Sequence, residues 1–358
     1  MKEEFSALLL EWYEQNARSL PWRGHSDPYA IWVSEIMLQQ TRVDTVIHFF
    51  LGWMERFPTV DALAAAPVDS VLKAWEGLGY YSRARSMHKT AQLLVNEFGS
   101  QLPHDFKTLT SLPGIGLYTA AAIASIAFGL DYSVVDGNVK RVLARLLPYA
   151  KEVNTPAGEK ELREIAQNLL PAGRARDYNQ ALMELGALIC LPRNPKCSTC
   201  PVSNLCAAFR GNRQAELPVM KGKAAIPHIT VTAGILRQDG KVLIARRPTS
   251  GLLGGMWEFP GGKLEPGETH AQALARELAE ELGITTVSGD LIGTYKHAYT
   301  HFKVTLYAYH AQITTGRIKL LEASDARWVD LSELEAYPMG KIDRMISRDL
   351  VKASQSDG

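Results

Sequence analysis

The chain has 358 residues, enough for two domains or three at roughly 150 residues each. Hydrophobic residues make up 46% and charged residues 22%, ordinary globular values that exclude a disordered chain. Lys+Arg number 39 against Asp+Glu 38, so no global basic excess announces a polyanionic partner and any such surface must be local.

At the N-terminus Glu3 and Glu4 precede any apolar stretch, and Leu8–Leu10 is too short for a signal-peptide core. The longest weakly polar run, 120–130, is about half a membrane span and contains Ser125 and Gly129. These features predict a cytoplasmic chain with no membrane partner. From Glu3 to about Phe209 apolar residues recur at helical spacing, punctuated by Pro21, Pro58, Pro67, Pro103, Pro113, Pro156 and Pro171. Residues 1–209 therefore read as an all-α region.

Within it, the spacing predicts a helix over Tyr29–Thr41 whose Glu35 shares a face with Ile31, Trp32 and Leu38. Burial in that apolar stripe should raise its pKa. Leu112-Pro113-Gly114-Ile115-Gly116 separates two periodic segments inside 106–127. Pro113 stops the first, and Gly114 and Gly116 permit a tight turn whose N–H groups can cradle phosphate, a helix-hairpin-helix. Asp136 follows an apolar stretch and opens a helix carrying Val139, Val142, Leu143 and Leu146, where free N–H groups favour the ionised carboxylate. Two carboxyls held in opposite states suit cleavage of a glycosidic bond through an oxocarbenium-like transition state.

All four cysteines lie in 190–206, spaced Cys190-x6-Cys197-x2-Cys200-x5-Cys206, too few for a disulfide framework and grouped as metal ligands are. Spacing alone leaves zinc and a four-iron cluster open. The stretch from Cys190 to Lys223 holds Arg193, Lys196, Arg210, Arg213, Lys221 and Lys223 against the single acid Glu216, a local basic surface. Residues 210–225 read as a linker.

Beyond it the texture changes: Ile229–Leu236, Val242–Ala245 and Val304–His310 look like strands and His270–Leu282 like an amphipathic helix, so 226–350 reads as an α+β domain. Gly262-x5-Glu268-x7-Arg276-Glu277-Leu278-Ala279-Glu280-Glu281-Leu282-Gly283-Ile284 fits the Nudix pattern G-x5-E-x7-R-E-U-x-E-E-x-G-U without departure. Glu277, Glu280 and Glu281 fall on one helix face, a hard-oxygen set suited to Mg²⁺ or Mn²⁺.

The cysteine spacing resembles the iron–sulfur loop of endonuclease III-class DNA glycosylases, which implies a structural, DNA-contacting [4Fe–4S] cluster, with Arg193 and Lys196 reaching phosphate. Leu112–Gly116 followed by Thr119-Ala120 is similar to the DNA-binding hairpin of that superfamily. Trp32–Thr41, Gly77–Arg85 and Val135–Val142 resemble signature segments of the MutY family of adenine DNA glycosylases. The resemblance implies that Glu35 protonates N7 of a flipped adenine, that Asp136 stabilises or traps the deoxyribosyl cation, and that Asn138 orients Asp136. It places Tyr118, Gln180, Trp22 and Arg23 in the base pocket. Tyr80 becomes a wedge beside 8-oxoguanine, with Gln40, Thr41 and Leu78 on that strand. Tyr118 stands where bifunctional relatives carry a Schiff-base lysine, implying a monofunctional enzyme.

The second domain resembles the C-terminal domain of the same family, itself similar to the MutT hydrolases. Trp257–Gly262 looks like MutT and Arg246–Leu252 like MutY, while Tyr299-Thr300-His301 stands where that family reads 8-oxoguanine. The implied partner is double-stranded DNA bearing adenine opposite 8-oxoguanine or guanine, bound by a monomer associated with a bacterial nucleoid. Two alternatives accompany this reading: the second domain also hydrolyses oxidised nucleoside triphosphates, or the enzyme acts on mismatched thymine or uracil.

Overall fold

The computed structural model describes residues 1–24, 27–222 and 225–356; Lys223 and Ala224 of the expected linker lie outside the described residues. The first part of the chain is helical: α1 (Lys2–Asn16), α2 (Pro28–Leu38), α3 (Val43–Arg56), α4 (Val60–Ala65), α5 (Val68–Ala74), α6 (Ser82–Glu97), α7 (Phe106–Ser111), α8 (Leu117–Ala122), α9 (Gly137–Leu146), α10 (Pro156–Leu169), α11 (Ala175–Leu188) and α12 (Ala207–Arg210). Side-chain caps start several of them. Asp27 accepts from Tyr29 N ahead of Pro28, Asp105 from Thr108 N, and Thr155 from Gly158 N ahead of Pro156. Each such cap is worth about 1 kcal/mol.

Helix α2 ends at Leu38 rather than the expected Thr41, because Gln40 adopts a left-handed φ of 60° that no helix continues through. Helix α8 passes into a π-turn, Ile123–Ala127, so the second arm of the hairpin does reach residue 127.

The remainder carries β1 (His228–Gln238), β2 (Lys241–Arg246), β3 (Trp257–Glu258), α13 (His270–Leu282), β4 (Thr285–Ala298), β5 (Lys303–Thr315), β6 (Asp325–Val329) and α14 (Lys341–Ser356). The sheet runs β3-β2-β1-β5-β4 with β6 on β2; β1 and β5 are parallel, the other pairs antiparallel. Alternation along the strands splits the core between two faces. Ala233, Ile235, Val242 and Ile244 pack with Ile342, Ile346 and Leu350 of α14, whereas Leu236 and Leu243 pack with Leu274, Leu278 and Leu282 of α13. Helix α13 starts on a Thr269/Gln272 capping box and ends at Gly283, whose φ of 65° closes the last turn.

The chain divides into two compact units that do not follow sequence order: Met1–Ala65 with Lys89–Lys223, and Ala66–His88 with Ala224–Gly358. In the first, α1, α9, α10 and α11 enclose a core of Phe5, Leu9, Val142, Leu143, Leu162, Tyr178 and Leu182. In the second, a short helical stretch expected to belong with its sequence neighbours is tied to the sheet domain by charge. Arg344 donates from Nε and Nη2 to the Glu76 carboxylate at 2.6 and 3.0 Å, Arg85 to Gly254 O at 2.6 Å, and Arg246 to Asp69. Among the described residues no helix is long and apolar enough to cross a membrane.

Candidate active site

In the first unit, α2, α8, α9 and α11 surround a cavity of about 710 Å³. Its walls include Trp22, Arg23, Glu35, Gln40, Thr41, Tyr118, Asp136, Asn138 and Gln180, so nine residues singled out by sequence meet in one place.

Glu35 is only 5% exposed, and Tyr118 Oη donates to its Oε2 at 2.8 Å. Burial pushes the Glu35 carboxyl up to about 7; the Tyr118 hydrogen bond opposes this, the Asp136 charge adds to it, and Arg23 opposes it. The group is therefore an acid poised near neutrality. Burial raises the Tyr118 phenol far above its usual range, with the Glu35 and Asp136 charges behind it, so it serves as a hydrogen-bond donor.

Asp136 caps α9 by accepting from Val139 N at 2.7 Å, and Asn138 Nδ2 donates to its second oxygen at 3.2 Å. Arg141 Nη2 in turn donates to Asn138 Oδ1 at 2.7 Å, and Arg141 Nε to Cys190 O at 2.7 Å. The helix start was expected to keep Asp136 readily ionised. Burial in the cavity wall instead raises its pKa, and the Val139 and Asn138 N–H groups and Arg141 pull it back only in part. Both carboxyls are thus shifted upward, Glu35 by desolvation that no helix terminus offsets.

Several wall residues escaped the sequence reading: Arg18, Lys140, Glu159, Arg163, Met183 and Glu184. For Glu184 a signal existed, a carboxylate amid Ala181, Leu182 and Leu185 on a buried helix face, the same logic that found Glu35.

The other expected recognition residues belong to the second unit and do not line this cavity. Leu78 is buried, while Tyr80 is 38% exposed, has a positive φ of 48°, and donates its hydroxyl to Thr300 Oγ1. The Arg83 guanidinium lies 5.6 Å from the Tyr80 ring centroid. Tyr299 stacks on Phe302 at 4.8 Å and His301 is exposed. In the hairpin, Gly114 takes a φ of 78° and Gly116 caps α8; both are exposed.

Cys190, Cys197, Cys200 and Cys206 line one small cavity of about 30 Å³, with Arg145 Nη1 3.3 Å from Cys190 Sγ. Burial first, and the neighbouring sulfurs after it, push the Cys200 thiol up to about 11, so thiolate formation here calls for a cationic partner. Among the described residues no three His, Cys, Asp or Glu side chains are grouped to hold one metal ion. Gathered around that one cavity, these four cysteines would hold an iron–sulfur cluster, one thiolate to each iron. Arg193 and Lys196 are exposed on the same loop.

The carboxylates of α13 are engaged by a neighbouring arginine. Arg276 pairs with Glu268 at 2.7 Å and with Glu277 and Glu280 at 3.0 Å each, so one guanidinium engages three carboxylates and offsets only part of their charge. Burial pushes Glu281 up to about 7, Glu277 reinforcing the effect, and its Oε2 lacks a hydrogen-bond partner. As placed, Glu277, Glu280 and Glu281 do not converge on a Mg²⁺ site.

Residues 33–172 match the HhH-GPD superfamily of base excision DNA repair proteins, residues 190–206 the iron-sulfur binding domain of endonuclease III, and residues 231–348 the NUDIX domain. A solved thermostable thymine-DNA glycosylase is 32% identical with a TM-score of 0.54, covering 59% of this chain and 97% of its own. The adenine DNA glycosylase of Homo sapiens is 36% identical over 400 residues, covering 96% of this chain and 73% of the human protein; that of Schizosaccharomyces pombe is 30% identical, covering 94% and 87%. A likeness spanning helical region, iron–sulfur loop and Nudix-like domain together, with an acid and a capped carboxylate facing one cavity, places the chain in the adenine DNA glycosylase family.

Proposed function

We propose that the enzyme excises adenine paired with 8-oxoguanine or guanine, hydrolysing the N-glycosidic bond without cutting the strand. The observation that carries this reading is the single cavity where a buried acid poised near pH 7, Glu35, faces Asp136. A base must leave the stack to reach such a pocket. Glu35, held by the Tyr118 hydroxyl, protonates N7 and makes adenine a neutral leaving group. Asp136, aimed by Asn138 and the Val139 N–H, meets the positive charge growing at C1′. Trp22, Arg23, Gln180 and Tyr118 hold the base. Gly114, Gly116, Arg193 and Lys196 contact phosphate, and the iron–sulfur cluster braces its loop as a structural element against the duplex. Tyr118 takes the hairpin position of a Schiff-base lysine, and the Lys140 ammonium on the cavity wall is engaged in an ion pair with Glu159.

In this reading Tyr80 and Thr300, joined by their hydroxyls, contact the 8-oxoguanine strand together with Gln40, Thr41, Leu78, Tyr299 and His301. The Nudix-like domain acts as a lesion-binding module, a role supported by the engagement of its carboxylates with Arg276. Replacing Glu35 by Gln or Asp136 by Asn should abolish adenine release while DNA binding persists; turnover in both variants refutes the assignment. Borohydride trapping of an abundant covalent adduct refutes monofunctionality. The complete Nudix pattern favours a second reading, Mg²⁺-dependent hydrolysis of 8-oxo-dGTP, which falls if the wild-type chain turns over no faster than Glu280→Gln.

A further inference from the structure

Glu184 on α11 lies on the cavity wall, and its side chain is 1% exposed. Its one carboxylate accepts five hydrogen bonds from two arginines: Arg18 N at 3.0 Å, Arg18 Nε and Nη2 at 2.8 Å each, and Arg23 Nη1 and Nη2 at 3.1 and 2.7 Å. Arg23 Nη1 also donates to Arg18 O at 2.9 Å, so the three residues form one closed unit. Burial alone would raise the Glu184 carboxyl, but the Arg18 and Arg23 hydrogen bonds outweigh it and hold the group at about 2. It is an anion throughout the working range, and the unit carries one net positive charge.

That charge sits where the chemistry is. Arg23 lines the same cavity as Glu35 and is the cation that bears on its proton affinity. A guanidinium on a long stem has many rotamers, and a doubly hydrogen-bonded carboxylate reduces them to one. Sequence separation makes this a tertiary device: Glu184 lies 161 residues from Arg23 and 166 from Arg18. No other acidic side chain accepts a hydrogen bond from Arg23 among the described residues.

We propose that Glu184 is a positioning residue for adenine excision, fixing the Arg23 guanidinium, with Arg18 as its brace, on the wall it shares with Glu35. The inference rests on the catalytic reading of Glu35 above. It differs from a purely structural role because the loss of Glu184 should reach the excision rate through the Arg23 guanidinium that it and Arg18 hold, with folding and DNA affinity kept. An unfixed guanidinium would fold back toward Glu35 or into solvent, and the base would lose a defined partner at the transition state.

The test uses the full chain under single-turnover conditions on a duplex holding adenine opposite 8-oxoguanine. Glu184→Gln keeps the shape and removes the charge. It should lower the rate constant about tenfold or more while affinity for a duplex carrying a tetrahydrofuran abasic analogue changes by less than about threefold. Glu184→Asp should recover most of the rate. In an Arg23→Met background the further change Glu184→Gln should cost less than about twofold. Wild-type excision by Glu184→Gln, or the same fold-loss in both backgrounds, overturns the proposal. Should Glu184→Gln fail to fold, the cycle is run with Glu184→Ala, and equal losses in the two backgrounds again overturn it. Glu35→Gln run alongside separates the two readings. An inactive Glu35→Gln with a fully active Glu184→Gln removes only the role of Glu184, whereas an active Glu35→Gln removes the catalytic assignment itself.

Discussion

Replacing Tyr118 by Phe should move the alkaline limb of the excision profile to higher pH. Burial, partly offset by Tyr118 and Arg23 and reinforced by Asp136, carries Glu35 from 4.5 to about 7, a net penalty on its charged form of about 3 kcal/mol. The Tyr118 hydroxyl, donating at 2.8 Å, works against that penalty because it stabilises the carboxylate more than the acid. A hydrogen bond to a charged acceptor is worth about 1.5–3 kcal/mol, hence about 1–2 pH units. The proton-donating form of Glu35 exists below its pKa, so wild-type excision should fall about tenfold per unit above pH 7. Without the phenol oxygen the carboxylate is less stabilised, the acid persists longer, and the limb should lie at about pH 8 or higher. Asp136 and Arg23, the other charges bearing on Glu35, are untouched by the substitution. The assay is the single-turnover rate from about pH 5 to about pH 9.5, with DNA held saturated. The maximum can drop without consequence; the position of the limb decides. A limb that stays near pH 7, or moves down, refutes the account of Glu35 as an acid restrained by Tyr118.

The same raised pKa predicts a stability effect of defined sign. Between about 4.5 and 7 the folded state binds a proton that the unfolded state has released, so the contribution of Glu35 to stability declines as pH rises through that window. Glu35→Gln should therefore be more stable than wild type at pH 8, by up to about 3 kcal/mol in urea unfolding, with the advantage vanishing near pH 4.5; a pH-independent difference contradicts it. Arg344 is 4% exposed and holds the partly buried Glu76 carboxylate, which Lys73 also pairs at 3.1 Å, so Arg344→Ala leaves the carboxylate with one cation and should cost about 1–3 kcal/mol of stability in the second unit. Glu76→Gln combined with Arg344→Met should cost less, and equal losses would deny that the pair acts as a unit. Cys200→Ser should purify with little iron and a lowered thermal midpoint; full iron content would show that Cys200 is no ligand.

What sequence conveyed well was periodic. Glu35 stood out as a carboxyl in an apolar stripe, Asp136 as a residue where such a stripe begins, and His270–Leu282 as a helix whose ends the structure reproduces. What it conveyed poorly was set by contacts across the chain. β4 was not anticipated, since register shifts near Thr285, Ser288 and Leu291 break the alternation that marks a strand. The membership of Ala66–His88 depends on Arg344, Arg246 and Gly254, far away in sequence. Glu184 is invisible without Arg18 and Arg23 for the same reason.

The Nudix segment shows a different limit, because the pattern names residues and not the ion pairs they make with one another. Arg276 stands one turn before Glu280, a spacing that by itself allows an ion pair, whereas its pairing with the adjacent Glu277 is visible only in the structure. A carboxylate can hold a divalent cation only if no internal cation has already claimed it, and the pattern names the acids and the arginine in one breath without ranking them. Geometry ranks them: Arg276 reaches Glu268, Glu277 and Glu280 together, and Glu281 is pushed toward its neutral form by burial. A divalent ion entering this face would have to displace three ion pairs and ionise Glu281. Hydrolysis at this domain, if detected, should therefore need Mg²⁺ well above the level that saturates an open carboxylate site, and should strengthen as pH rises through about 7. Turnover already maximal at low Mg²⁺ and at pH 6 would show that the ion pairs yield freely and that the pattern alone was the better guide.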